Sequence, residues 1–145
     1  MIPEAARAIG LQIQVLNAST SRDIDAAFAT MIRDGTDALL VNADAFFGTR
    51  VVQFATLAAR HGIPAAYAAR AFTDVGGLMS YGASATDAVR QVGVYAGQIL
   101  KGVKPVDLPV LQSSKFEFVI NLQTARALGL EVPLGLSAGA DELIE

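Results

Sequence analysis

The sequence predicts an α/β domain built on a parallel sheet, and three observations carry that reading. Short apolar runs recur at residues 11–16, 38–41, 63–67 and 78–80. Each is followed by a short polar loop. Most of those loops lead into a segment whose apolar residues fall at helical spacing. Strands alternating with helices imply parallel pairing through right-handed crossovers.

Bulk composition narrows the classes. With 145 residues and 52% hydrophobic content, the chain is one ordinary domain with material for a core, and too apolar to be disordered. Its mean hydropathy of +0.42 is high for a free-standing soluble domain. Two sources fit: a parallel sheet, whose strands are apolar on both faces, or a surface that another domain covers. No apolar run approaches the ~18 residues of a membrane span. The net charge is −3 and the 11 basic residues are scattered, without the basic stripe of a nucleic-acid binder. The absence of cysteine removes disulfides and thiolate metal sites and leaves the compartment open. The first residues carry no targeting pattern and lead straight into a helix, so the chain reads as a fragment of a longer polypeptide.

The elements follow in order. Residues 4–9 read as the end of a helix stopped by Gly10. Leu11, Ile13 and Val15 alternate with Gln12 and Gln14, as in a strand with one exposed face. Ser19, Thr20 or Ser21 caps a helix with the stripe Ile24, Ala27, Phe28, Met31 and Ile32, which Gly35 ends. Residues 38–41 form a short buried strand. Gly48 or Thr49 opens a helix carrying Val51, Val52, Ala55, Ala58 and Ala59, closed by Gly62. Pro64 begins a strand, where its missing N–H does least harm. A turn at residues 74–77 precedes the strand at 78–80. Ser84, Thr86 or Asp87 caps the longest helix, striped by Val89, Val92, Gly93, Ala96, Ile99 and Leu100 and stopped by Gly102. Pro105 and Pro109 make residues 103–110 an extended connector. Residues 116–120 form a strand, Asn121 caps a helix over 122–128, and residues 133–145 read as a loosely packed tail.

Ligands of open parallel sheets bind beyond the carboxyl ends of the strands. The loops there supply the candidate site. Asn17, Ser19 and Thr20 follow the first run; they suit a ligand carboxylate, and equally suit plain N-capping. Asn42, Asp44, Phe46 and Phe47 follow the second. Asp44 suits an ammonium group and one Phe suits stacking on an apolar or aromatic ligand, against the alternative of a cap and packed rings. Arg70 follows the third run and suits a bidentate carboxylate pair, or a tie to Asp74. Tyr81 offers a ring and a hydroxyl, and Gly82 a close turn, against the alternative of a hinge with a packed Tyr.

Chemistry at a catalytic centre lacks parts. His61 is the single histidine and sits in a helix's last turn, at the far edge of the sheet, where it suits the helix C-terminus. Asp23 and Asp25, and Glu142 and Glu145, read as solvated helix charges. No catalytic residue, metal site or cofactor follows, and Gly76-Gly77 precedes its strand, unlike a phosphate loop.

Gly76-Gly-Leu-Met-Ser-Tyr-Gly, the helix over residues 87–101 with Gly102-Val-Lys-Pro, and Lys115-Phe-Glu-Phe-Val-Ile-Asn-Leu-Gln-Thr-Ala-Arg-Ala-Leu-Gly-Leu form an ordered set. With Ala43-Asp-Ala-Phe-Phe and His61-Gly-Ile-Pro-Ala, the set resembles the substrate-binding proteins of ABC transporters whose best understood members bind aromatic amino acids. The resemblance implies one Rossmann-like lobe of a type I periplasmic binding protein. Residues 1–82 would be the second-lobe core, 83–112 an inter-lobe crossing helix and connector, and 113–145 the C-terminal strand, helix and tail returning to the lobe. It implies a solute-binding component of an ABC importer, not an enzyme, holding a small molecule such as an amino acid in an inter-lobe cleft. Its partners would be permease subunits and a missing N-terminal lobe, in a periplasmic or membrane-anchored extracytoplasmic protein. Without that lobe the longest helix favours a homodimer of the fragment. A ligand-sensing domain of a regulator with the same fold, or a small flavodoxin-like enzyme, is the alternative.

Overall fold

A computed structural model describes residues 2–112 and 114–145, without the side chains of residues 2 and 3. The chain divides into two units, Met1–Gly35 and Thr36–Glu145.

The first unit holds α1 (Ile2–Ala8) and α2 (Ser21–Asp34). The cap of α2 is Thr20, whose hydroxyl accepts from the Asp23 N–H while the Asp23 carboxylate accepts from the Thr20 N–H. This reciprocal box satisfies donors that a helix start leaves orphaned. Ile24, Phe28 and Met31 are its buried stripe, and Gly35 ends it at φ 68°, a left-handed conformation that suits glycine. Residues 11–16 are not a strand: they hold no regular secondary structure, are mostly exposed and are part of no sheet among the described residues. Their alternation fits a strand, but a strand needs a ladder partner for its backbone groups.

The second unit is a five-stranded sheet in the order β1-β2-β3-β4-β5. The strands are β1 (Leu39–Val41), β2 (Ala65–Tyr67), β3 (Met79–Ala83), β4 (Phe116–Asn121) and β5 (Glu142–Ile144). β1, β2 and β3 run parallel; β4 runs against β3, and β5 follows β4. The expected parallel sheet is therefore mixed. The α/β class stands, because helices flank the parallel strands that come first.

Between β1 and β2 lie α3 (Ala45–Gly48) and α4 (Val51–His61), so Gly48 ends a short helix and does not open the long one. Between β2 and β3 lies α5 (Arg70–Asp74). Beyond β3 comes α6 (Ala85–Leu100), with Ser84 at its cap, then a 3-10 turn at Pro105–Asp107 in the expected connector. After β4 come α7 (Leu122–Ala127), capped by Asn121, and α8 (Leu134–Ala138). The last thirteen residues are thus a helix and a strand, not a loose tail.

One sheet face carries Tyr67, Ser80, Val119 and Glu142, which are neighbours in register. α5 lies against it: Phe72 stacks on Tyr67 at 4.5 Å, and Thr73 Oγ1 donates to Ser80 Oγ at 2.7 Å. Asn121 Nδ2 donates to the Thr73 carbonyl at 3.4 Å. These buried polar bonds pin α5 to β3 and β4. The opposite face carries Leu40, Tyr81 and Phe118, and is far more open.

Candidate functional site

Because β1, β2 and β3 are parallel, the segments that follow them meet at one edge of the sheet. There the chain forms a hollow of about 380 Å³, lined by Asn42, Asp44, Gly48, Ala68, Ala69 and Phe72, with Ala43 and Ala45. That size lies within the range of small-molecule sites. Small residues make the space: alanine and glycine leave a void where larger side chains would fill it.

Asp44 caps α3. Its Oδ1 accepts from the Phe46 N–H at 2.8 Å and the Phe47 N–H at 3.3 Å. Both bonds use one oxygen, and among the described residues no donor reaches Oδ2. Asn42 is exposed and makes no side-chain hydrogen bond there. The hollow therefore presents an amide and a carboxylate oxygen against an apolar floor.

Phe46 and Phe47 do not line it. Phe47 meets Phe54 edge-on at 5.2 Å, and Phe54 meets Phe72 at 6.0 Å, so the series runs from the α3 surface to the floor of the hollow. Phe46 lies beneath the Arg50 guanidinium, 5.5 Å from the ring centre. The ring that reaches the hollow is Phe72, which sequence reasoning did not single out. Its signal was available: it stands three residues after the adjacent small pair Ala68-Ala69.

Arg70 is committed elsewhere. Its Nη1 and Nη2 donate to Glu142 at 2.6 and 2.9 Å, and its Nε lies 3.3 Å from Asp74. The hydrogen bond from Arg70 holds the Glu142 carboxyl below its ordinary range. Glu142 is thus a strand residue in an ion pair, not a solvated helix charge.

Tyr81 and Gly82 lie within β3, not after it. Tyr81 is 64% exposed, stacked on Phe116 at 5.6 Å and edge-on to Phe118 at 6.2 Å, on the sheet face opposite Ser80. Gly82 lets two backbones touch: a Cβ there would stand 1.9 Å from the Ala68 carbonyl oxygen. Its absence of side chain holds β3 against the wall of the hollow.

Asn17, Ser19 and Thr20 belong to the first unit. Asp23 Oδ2 accepts from the Ser19 N–H at 3.0 Å, the Ser19 hydroxyl at 3.1 Å and the Thr20 N–H at 2.9 Å. The chain's own carboxylate takes the donors that a ligand carboxylate would need. Those bonds, the Ser19 N–H foremost, pull the Asp23 pKa down. Asp23 is a capping residue and not merely a solvated charge. Asn17 is exposed. Among the described residues no group of three or more His, Cys, Asp or Glu side chains could hold a metal ion.

The family model described as ABC transporter substrate binding protein matches residues 1–144. The chain belongs to that family. Solved structures agree on the fold of this substrate-binding family member. A conserved domain protein from Vibrio cholerae O1 biovar eltor superposes with a TM-score of 0.85 at 22% identity, over 98% of this chain and 48% of that one. The ABC domain in complex with L-Trp from Streptococcus pneumonia has a TM-score of 0.85 at 27% identity, over 97% and 48%. The ligand-free, open structure of CD0873, a substrate binding protein with adhesive properties from Clostridium difficile, has a TM-score of 0.67 at 22% identity, over 99% and 48%. The chain therefore spans about half the length of these structures. No curated protein matches it.

Proposed function

We propose that this chain is one lobe of the solute-binding component of an ABC importer, and that its hollow contributes one wall of an inter-lobe site for an amino acid. The observation that carries the reading is the pairing of Asn42 with the open Oδ2 of Asp44 over the Phe72 ring. A carboxylate oxygen suits an ammonium group, and an apolar floor suits an aliphatic or aromatic side chain. The likeness to a domain that holds L-Trp supports the same class of ligand. Function is binding and closure of two lobes, with permease subunits as partners of the closed form in an extracytoplasmic protein.

α6 belongs to this reading. None of its residues is buried, and Val89, Val92 and Leu100 are widely exposed. The N-terminal lobe is its proposed cover. Arg70 is proposed as a tie within this lobe, with Asp44 as the charged contact to ligand. Tyr81 lines the opposite sheet face and Gly82 supports the wall.

A thermal-shift panel of amino acids tests the proposal, since a ligand that binds only the folded state raises its melting temperature. Asp44→Asn keeps a capping oxygen and removes the charge. It should weaken binding about tenfold to hundredfold with little change in stability. Unchanged affinity in that variant removes Asp44 from the site.

A further inference from the structure

Most of the 13 glycines in this chain have a structural reason to be glycine. Six adopt a positive φ, where side chains are strained. At Gly77 and Gly82 a Cβ would run into the carbonyl oxygens of Phe72 and Ala68. Gly48 has neither reason. It is the last residue of α3, its φ lies outside the left-handed region, and a Cβ there would meet nothing within 4 Å.

The end of α3 does not use the glycine either. The cap is Thr49 at φ −87°, and its hydroxyl donates to the Phe46 carbonyl at 2.7 Å. The next N–H, that of Arg50, donates to the Phe47 carbonyl at 2.9 Å. An alanine at residue 48 would make the same bonds, and glycine is the poorer helix former of the two. A residue that weakens its own element without a steric need points to function. Gly93, Gly97 and Gly135 also have open space at the Cβ position, but none of them lines the hollow, and Gly48 does. Its N–H donates to the Asp44 carbonyl at 3.0 Å, one helical turn back. Residues four apart share a helix face, so the room left by the missing side chain lies beside the Asp44 carboxylate.

We propose that Gly48 is a specificity-determining residue, and that the size of residue 48 sets the bulk of the solute side chain that the hollow admits. The inference rests on the reading of the hollow as an amino-acid site. On that reading Asp44 meets the ammonium group, and the side chain that branches from the neighbouring carbon passes Gly48. Any Cβ at this position competes with the ligand for the same space. It competes with no atom of the protein.

Calorimetric titration of the amino-acid panel tests this in the full polypeptide that carries this chain, as wild type, Gly48→Ala and Gly48→Leu, with melting temperatures measured alongside. Gly48→Ala should melt at the wild-type temperature or above it. Gly48→Leu should weaken the bulkiest amino acids that the wild type binds at least about tenfold more than the smallest, with Gly48→Ala in between. Affinities that fall by one factor at every ligand size, or that do not fall, overturn the size selection and leave the binding role intact. A lower melting temperature for Gly48→Ala shows that the glycine serves the fold and also overturns it. A folded wild-type polypeptide that binds no amino acid overturns the binding role itself, and the size selection with it.

Discussion

Arg70 and Glu142 form a two-pronged ion pair that joins the start of α5 to the last strand, with Nη1 and Nη2 at 2.6 and 2.9 Å from the two carboxylate oxygens. The residues are 72 positions apart, and the pair ties the C-terminal strand to the element that floors the hollow. Glu142 has its folded-state pKa lowered by this contact. Its contribution is therefore fully present above the ordinary glutamate range near about pH 4.3 and is lost as pH falls through the depressed value. Glu142→Gln should lower the melting temperature slightly at about pH 7 and not at all in strong acid. A difference that persists at about pH 2 would show that the effect is not this ion pair.

Gly82 should not tolerate a side chain. An added Cβ meets the Ala68 carbonyl oxygen at 1.9 Å and its carbon at 2.8 Å, both backbone atoms that cannot swing aside. Gly82→Ala should cost about 1–3 kcal/mol in urea denaturation. Wild-type stability in this variant would mean that β3 and the Ala68 loop do not approach so closely.

Tyr67 is fully buried, and its hydroxyl has no hydrogen-bond partner among the described residues. Burial pushes its pKa up to about 12. Between about pH 10 and that value the unfolded chain loses this proton and the folded chain keeps it, so stability falls as pH rises through the window. Tyr67→Phe removes an unmet polar group at constant shape and should leave stability equal or higher by up to about 1 kcal/mol at neutral pH. It should also abolish the late phenolate step in an ultraviolet titration. A clear loss of stability would show that the hydroxyl has a partner, such as a buried water.

α6 predicts association of the isolated chain. Its stripe of Val89, Val92 and Leu100 lies open, and such a face favours contact with another apolar surface. Sedimentation should show a concentration-dependent dimer, and Val92→Glu with Leu100→Glu should restore the monomer. A wild-type monomer at high concentration would contradict this.

Most of the fold was legible because its signals are local. Thr20, Ser84 and Asn121 are caps, and Gly35 and Gly62 are stops, as their residue types dictate. What escaped depends on distant partners. Residues 11–16 alternate like a strand, but alternation does not supply a ladder. The direction of β4 is set by the long excursion through α6 and not by its own residues. Glu142 looked like a surface charge because Arg70 is remote in sequence. At the site, Asn42 and Asp44 were legible from their place after β1. Phe72 was not, because its role comes from the small residues around it.

The hollow beyond β1 and β2 is proposed to bind an amino acid, and nuclear magnetic resonance with a ¹⁵N-labelled chain tests this most directly. L-Tryptophan and the other amino acids are titrated while backbone shifts are followed. Saturable shifts should concentrate at Asn42, Asp44, Gly48, Ala68, Ala69 and Phe72. Saturable shifts that leave these residues still while others move would contradict it, as would a full panel that moves none of them.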